Sequence, residues 1–320
     1  MASISTTPAA QPRLKIWQRL SFEETVFGWL FILPAVLGLI LFQLGPVLVS
    51  MGLSFTEYDI INRPTWNGLE NYTRLFQDAL WIKSIQVTLK YVVIYVPAAL
   101  IFAYLVALLM SGRIRGISAW RTMWYLPSIV PSVAAAAVWR WGLHPEFGPI
   151  NFPLKVLGLP APRWLADPDW IVPSIVFISL WSLGNSVLIF LASITGVPRS
   201  FYEAAEVDGA GIWRQFTTIT LPLTSSIIFF QLIITVINSF QVFTSAFILF
   251  GSNAAGSVAG PGNAALFYML YMYRNAFGYF RNGYASAMAW LLFLTVAILT
   301  FILFKTQNRW VYYEAGDDNE

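Results

Sequence analysis

The stretch Pro198-Arg199-Ser200-Phe201-Tyr202-Glu203-Ala204-Ala205-Glu206-Val207-Asp208-Gly209-Ala210, running on to Ile219-Thr220-Leu221-Pro222, is a polar island between two long apolar segments. Pro198 suits a helix start, because the N–H it lacks would be an orphan there anyway. Ser200 and Glu203 stand at capping-box spacing and predict a short helix from about Ser200 to Val207. Asp208-Gly209 then reads as a turn, since glycine supplies a positive φ without a Cβ clash. A second helix is expected from near Ala210 to a break at Pro222. The island is therefore a helix–turn–helix loop at a membrane surface, and the runs on either side of it decide the fold.

Those runs dominate the chain. Of its 320 residues 57% are hydrophobic and only 11% charged, against about 25% charged in a soluble domain, so this is an integral membrane protein. A net charge of +3 without basic clusters gives no case for nucleic-acid binding. The absence of cysteine excludes disulfides and thiolate metal sites, and the lone His144 excludes most His-based metal or triad chemistry. Charge-free runs of spanning length predict an all-α, polytopic protein of six transmembrane helices: about Phe27–Ser50, Ile85–Met110, Ser118–Trp141, Trp170–Thr195, Leu223–Phe250 and Tyr284–Phe304. Pro34 and Pro46 are expected to bend or end the first. Pro127 and Pro131 within the third free backbone groups that need partners in a bundle. Lys90 is expected to snorkel to the interface.

The polar segment Glu57–Lys83 holds Trp66-Asn67-Gly68-Leu69-Glu70-Asn71-Tyr72, a turn followed by a short amphipathic piece. Asn71-Tyr72-Thr73 is formally a glycosylation sequon, a common chance tripeptide. Gly251–Gly262 breaks the long run after the island, and Ala264–Tyr279 reads as a short interfacial helix. Six spans put both termini on one side. The basic, acid-free turn at Arg113, Arg115 and Arg121 makes that side the cytoplasm. The chain divides into a cytoplasmic tail over 1–26, a transmembrane domain over 27–306 with the loop at 196–222 between helices 4 and 5, and a cytoplasmic tail over 307–320.

The chain has no phosphate-binding loop, and Gly209-Ala210-Gly211 lacks the strand and third glycine of a dinucleotide fingerprint. No paired carboxylates fall within the spans, which argues against a proton- or sodium-coupled carrier. Uncharged polar groups do occur there: Trp181, Asn185 and Ser186 in the fourth helix, and Asn238, Ser239 and Gln241 in the fifth. Asn238, Gln241 and Ser245 share roughly one face. Singly, such groups serve as interhelical hydrogen bonds of about 1 kcal/mol; as a cluster with Trp181 and Phe240 they favour a path for a sugar-like solute.

Glu203-Ala204-Ala205, three residues, Gly209, nine residues, then Ile219-x-Leu221-Pro222 resembles the EAA loop of ABC importer permeases. The resemblance implies that the loop is a coupling helix docking in a cleft of an ATP-hydrolysing subunit, with Glu203, Ala204, Ala205, Asp208, Gly209, Leu221 and Pro222 in that role. Asn71-Tyr72 and Gly283-Tyr284-Ala285-Ser286-Ala287 extend the likeness, over nearly the whole chain, to the maltose-type, binding-protein-dependent carbohydrate-uptake class. That class implies a permease without its own ATPase or cofactor, in a bacterial or archaeal cytoplasmic membrane. Its partners would be a homologous permease, two subunits that bind ATP and Mg, and an external solute-binding protein delivering an oligosaccharide or polyol. Substrate contacts carry over to Trp181, Asn185, Ser186, Asn238, Ser239 and Gln241. The sequence departs from the class in having Asn185 where proline is usual, and Gly251-Ser252-Asn253 in place of a compact Gly-Gly-Pro. The alternative reading is a membrane-embedded enzyme acting on lipid-linked sugars, motivated by Trp/Tyr-rich outer loops and by Glu146, Asp167 and Asp169.

Overall fold

Prolines set the form of this fold, some by breaking helices and some by widening them. The computed structural model describes residues 22–112, 115–251 and 258–312. It divides into one unit ending at Gly52 and a second beginning at Leu53. The first unit is a helix, α1 (Phe22–Leu39), that passes through a π-helical turn, Ile40–Leu44, into α2 (Gly45–Leu53). Pro46 does not end it. The N–H of Gly45 reaches back to the carbonyl of Ile40, and this wider turn just ahead of the proline takes up the ring clash.

The second unit opens with a two-stranded ribbon, β1 (Thr56–Glu57) against β2 (Thr65–Trp66), antiparallel, with Thr56 opposite Trp66. Gly68, at φ +64°, turns the chain into α3 (Glu70–Gln77). Asn71 is buried there and donates both amide hydrogens, to the Ser54 and Thr56 carbonyls, each at 2.9 Å. Asp78 caps the N-terminus of α4 (Ala79–Ser111). That cap starts the helix six residues before the expected Ile85, so Lys83 lies inside it; Lys90 is exposed. At 33 residues α4 is about 50 Å long.

α4 is the axis of the second unit. Its first half puts Trp81, Val87 and Tyr91 into one apolar cluster with Ile171, Ile175, Phe267 and Met288. Its second half puts Ala99, Ala103 and Ala107 into another, with Val187, Phe190 and Leu191. Those alanines recur every fourth residue, so a flat face of small side chains lets the neighbouring helix approach closely.

The expected third span is two helices, α5 (Ile117–Ile129) and α6 (Ser132–Gly142). Val130 and Pro131 between them are extended, because a residue before proline is pushed out of the α region. After α7 (Asn151–Val156), the expected fourth span is likewise α8 (Pro168–Trp181) and α9 (Gly184–Gly196), bent by 53° across Ser182-Leu183. Gly184 is required at that bend: a Cβ there would lie 2.8 Å from the Trp124 carbonyl oxygen of α5. In the loop between α6 and α8, Asn151 is fully buried, receiving Trp164 Nε1 at 2.7 Å and donating to the Pro145 and Pro162 carbonyls.

The island forms α10 (Arg199–Val207), then α11 (Ile212–Gln215), a π-helical turn over Phe216–Thr220, and α12 (Leu221–Leu223). The expected fifth span is α13 (Ser225–Phe240) and α14 (Thr244–Phe250), with Gln241 and Phe243 leaving the helical conformation between them. Next comes α15 (Tyr268–Tyr273), continued by a π-helical turn over Arg274–Gly278. It starts later than Ala264 and is packed inside, with Phe267, Tyr268, Leu270 and Tyr271 buried. The Tyr268 hydroxyl donates to the Met288 carbonyl at 2.7 Å and accepts from Trp81 Nε1 at 3.2 Å.

The last span is α16 (Asn282–Gln307). Gly283 at its start lets it press on β1, where a Cβ would meet the Thr56 carbonyl oxygen at 2.0 Å. Beyond it, Trp310 packs edge-on to Phe229 and the Tyr312 N–H donates to Ser225 Oγ at 2.8 Å. Four helices among the described residues are long and apolar enough to cross a membrane, or five if the bent pair counts as one. The Pro131 break leaves α5 and α6 too short to pass that test singly. The chain is a multi-pass helical membrane protein. The tail residues before Phe22 and after Tyr312, and Ser252 and Asn253, lie outside the described residues.

Candidate functional site

α10 begins after Val197 and Pro198, both extended, so that the chain leaves α9 and turns before it coils again. The helix starts at Arg199, which places Ser200 inside its first turn. The expected capping box therefore does not form, and no side chain caps the helix. Its other end is closed by a Schellman motif. The Gly209 N–H donates to the Glu206 carbonyl at 3.0 Å, and the Ala210 N–H to the Ala205 carbonyl at 2.8 Å. Gly209 sits at φ +74°, where a Cβ would be strained.

One face of α10 is anchored and the rest is bare. Tyr202 and Ala205 are half-buried, whereas Glu203, Ala204, Glu206, Asp208 and Gly209 are exposed. Val207 is 89% exposed, Ile212 87% and Trp213 76%, an apolar rim beside the carboxylates of Glu203, Glu206 and Asp208. Exposed apolar side chains grouped this way mark a surface made for a partner. Sequence reasoning missed Val207, Ile212 and Trp213. For Val207 the signal was there, since helical spacing puts it off the face of α10 that turns Tyr202 and Ala205 inward.

The helical segment α11–α12 runs through Pro222 rather than breaking there. The Leu221 N–H reaches back to the Phe216 carbonyl, the same wide turn that precedes Pro46. The chain leaves the helical conformation only at Thr224. Leu221 is exposed and Pro222 half-buried.

Behind α10 lies a line of hydroxyls. Tyr202 Oη is 2.9 Å from Thr220 Oγ1, Thr224 Oγ1 donates to the Thr220 carbonyl at 2.7 Å, and Tyr104 Oη is 2.8 Å from Thr224 Oγ1. Thr220, Thr224 and Tyr104 are all buried, and the Tyr104 ring stands edge-on to Phe190 of α9. This line joins the exposed helix to α4 and α9.

The polar residues proposed for a solute path sit at helix breaks. Trp181 ends α8, and Asn185 and Ser186 open α9. Asn238 and Ser239 lie in the last turn of α13, and Gln241 is its C-terminal cap. The break after Gln241 ends the expected continuous face through Ser245. Trp181 packs edge-on to Trp139 of α6. Asn185, Asn238 and Gln241 are exposed, and Ser239 is buried, its hydroxyl bonded to the Val236 carbonyl at 2.7 Å. Gln241 lines an apolar groove of about 690 Å³ with Met269, Met272 and α16. None of the other five lines that groove.

Among the described residues no cluster of three His, Asp or Glu side chains could hold a metal. Asp167 spends its carboxylate capping α8, accepting from the Asp169 N–H at 3.0 Å.

Residues 149–312 match the family described as "Binding-protein-dependent transport system inner membrane component". The chain belongs to that family. As such a permease it is similar to the probable ABC transporter permease protein YesP of Bacillus subtilis, at 40% identity over 92% of this chain and 95% of the relative. It is 30% identical to the lactose transport system permease protein LacF of Rhizobium radiobacter, over 87% and 93% of the two chains. The permease also shares its fold with a chain of a bacterial alginate ABC transporter, crystallised with an alginate pentasaccharide-bound periplasmic protein. The TM-score there is 0.79 at 23% identity, covering 92% of this chain and 97% of the other.

Proposed function

We propose that this permease is half of the membrane channel of an ATP-driven sugar importer, taking an oligosaccharide or related polyol from a solute-binding protein. It pairs with a homologous permease and with two subunits that bind ATP and Mg, and it holds no ATPase site of its own. The spans are six, counting α5 with α6 and α8 with α9 as one each. The loop over 196–222 then lies between helices 4 and 5 in the cytoplasm, with both termini, over 1–26 and 307–320, on the same side of the cytoplasmic membrane.

One observation carries this reading: α10 is bonded into the bundle through Tyr202 while its outer carboxylates and the apolar Val207, Ile212 and Trp213 have nothing covering them. Small Ala204 lets a partner's surface come close, and Glu203 and Asp208 offer carboxylates to a partner arginine or lysine. ATP-driven closure of the partner subunits pulls on this helix and switches the cavity between its two openings. The sugar assignment is supported by what the similar lactose and alginate transporters are named for, and by uncharged polar residues at the helix breaks, Trp181, Asn185, Ser186, Asn238, Ser239 and Gln241.

The test is assembly and uptake with Glu203→Lys plus Gly209→Pro. The expected result is loss of the ATP-binding subunits on purification and loss of sugar uptake, with the permease still inserted in the membrane. Unchanged association and uptake in that variant would defeat the reading.

A further inference from the structure

The loop's second helical segment meets α13 at a single residue outside the helical conformation, Thr224, at φ −98° and ψ 1°. Helices that meet at one such residue can turn on it. Two hydroxyls hold this joint. That of Thr224 stands beside Tyr104 of α4. That of Ser225, the first residue of α13 and buried, is engaged twice. It donates to the Pro222 carbonyl at 2.6 Å, across the joint, and accepts the Tyr312 N–H at 2.8 Å. A hydroxyl with its proton and a lone pair both engaged is held in one orientation.

The Tyr312 N–H comes from the segment after α16. That helix ends at Gln307, whose carbonyl accepts the Trp310 N–H at 3.1 Å and the Val311 N–H at 2.9 Å, so the chain turns at once. Trp310 then packs edge-on to Phe229 of α13, 5.6 Å between ring centres, and Phe304 of α16 packs edge-on to the same ring at 5.5 Å. Phe229 is buried, about one turn along α13 from Ser225. Trp310 and Tyr312 therefore grip the start of α13 at two points, a ring contact at Phe229 and a hydrogen bond at Ser225. The Tyr312 side chain is 51% exposed and makes no hydrogen bond or ring contact among the described residues. Its backbone, not its ring, is what the second point uses.

We infer that Trp310–Tyr312 is a strap that locks the joint at Thr224, with Ser225 as the positioning residue through which it acts. The inference rests on the proposed function, which supplies the force on the loop. With the strap seated, the Tyr312 N–H fixes the Ser225 hydroxyl, the hydroxyl holds the Pro222 carbonyl, and α12 moves with α13 and α16 as one body. With the strap lifted, Ser225 is free to turn and the joint flexes, so a pull on the loop is absorbed there before it reaches the spans. Ser225 is shut off from water, which leaves nothing to replace a lost partner. Trp310 keeps 43% of its surface exposed, so it covers Phe229 from the surface and can lift without unpacking the spans.

The experiment is hydrogen exchange, read by mass spectrometry, on the assembled importer in nanodiscs, with and without ATP plus vanadate to trap the ATP-binding subunits closed. The Ile227 and Ile228 N–H groups, which donate to the Thr224 carbonyl, report the joint. Ser225→Ala, and Tyr312→Pro, which deletes the N–H, are each expected to raise exchange there about fivefold. Tyr312→Ala keeps the N–H and should raise it far less. On trapping, the wild type should change its exchange at the helix break after Gln241. Ser225→Ala, Tyr312→Pro and Trp310→Ala should lose most of that response while still retaining the ATP-binding subunits and hydrolysing ATP. Equal exchange at the joint in Tyr312→Pro and Tyr312→Ala would overturn the inference and leave the proposed function standing. So would a full response at the Gln241 break in Trp310→Ala with only its thermal stability lowered, which would make the strap mere packing. A wild-type permease that retains no ATP-binding subunit would take down the proposed function, and this inference with it.

Discussion

The Tyr104 hydroxyl stands 2.8 Å from that of Thr224, and this pair joins α4 to the segment that carries α10. Thr224 is fully buried and its hydroxyl also donates to the Thr220 carbonyl, so the loop meets α4 through a group that has no water to exchange with. Tyr104→Phe removes one buried hydrogen bond while Thr224 keeps its own. Stability should fall by about 1 kcal/mol. Uptake per ATP hydrolysed, measured in proteoliposomes, should drop several-fold while hydrolysis continues. Unaltered stoichiometry would show that the pair only packs.

Gly209 tests the shape of the loop apart from its chemistry. Gly209→Ala puts a Cβ at φ +74° and should cost roughly 1–2 kcal/mol. Gly209→Asn should cost less, because asparagine tolerates the left-handed region. Retention of the ATP-binding subunits in pull-downs should follow the order Gly, Asn, Ala.

Trp213 offers a direct test of the proposed docking surface. Being 76% exposed, it should change its fluorescence on binding of the ATP-binding subunits, and Trp213→Ser should weaken that binding about tenfold or more. A Trp213 signal indifferent to those subunits would remove it from the interface.

Asp78 gives the N-terminal end of α4 an acid sensitivity of known sign. Burial pushes its carboxyl up, but the Tyr271 and Tyr284 hydroxyls and the Leu80 N–H outweigh that and hold it below its ordinary value of 3.8. A carboxyl depressed in the folded state adds stability above its unfolded value, and that stability is lost as pH falls through the lower folded value. Thermal unfolding should therefore show a wild-type advantage over Asp78→Asn at pH 7 that shrinks below about pH 4. A constant advantage across that range would mean that the charge is not what ties α4 to α15 and α16.

Much of this arrangement could be read from the residues, and the failures share one cause. Apolar runs located most of the helices, and Pro198 with Asp208-Gly209 located the short helix between them and its turn. What the reading lacked was the tertiary partner of each proline and polar group. Pro46 and Pro222 looked like breaks because a local rule does not foresee a wide turn placed just ahead of them. Pro131 did break its helix, and Ser182-Leu183 broke one with no proline at the break. Asn71 looked like half of a chance sequon, yet it is buried and joins α3 to the chain at Ser54 and Thr56 that leads into the ribbon.

That last pairing carries its own prediction. With both amide hydrogens donated, Asn71→Ala would remove two hydrogen bonds, one of them buried, and should cost about 2–4 kcal/mol, measured by thermal unfolding in detergent. In a glycosylating host Asn71 of the folded protein should remain unmodified by mass spectrometry.

The π-helical turn over Phe216–Thr220 has a consequence for how the loop is aimed. It holds one residue more than an α-turn would spend, and each helical residue advances the chain by about 100°. That surplus residue fixes the angle at which Trp213 points relative to α13, much as one tooth sets the phase of a gear. An insertion or deletion between Trp213 and Leu223 would act as a rotation, swinging the exposed face that carries Trp213 to a new bearing with every one of its residues still present.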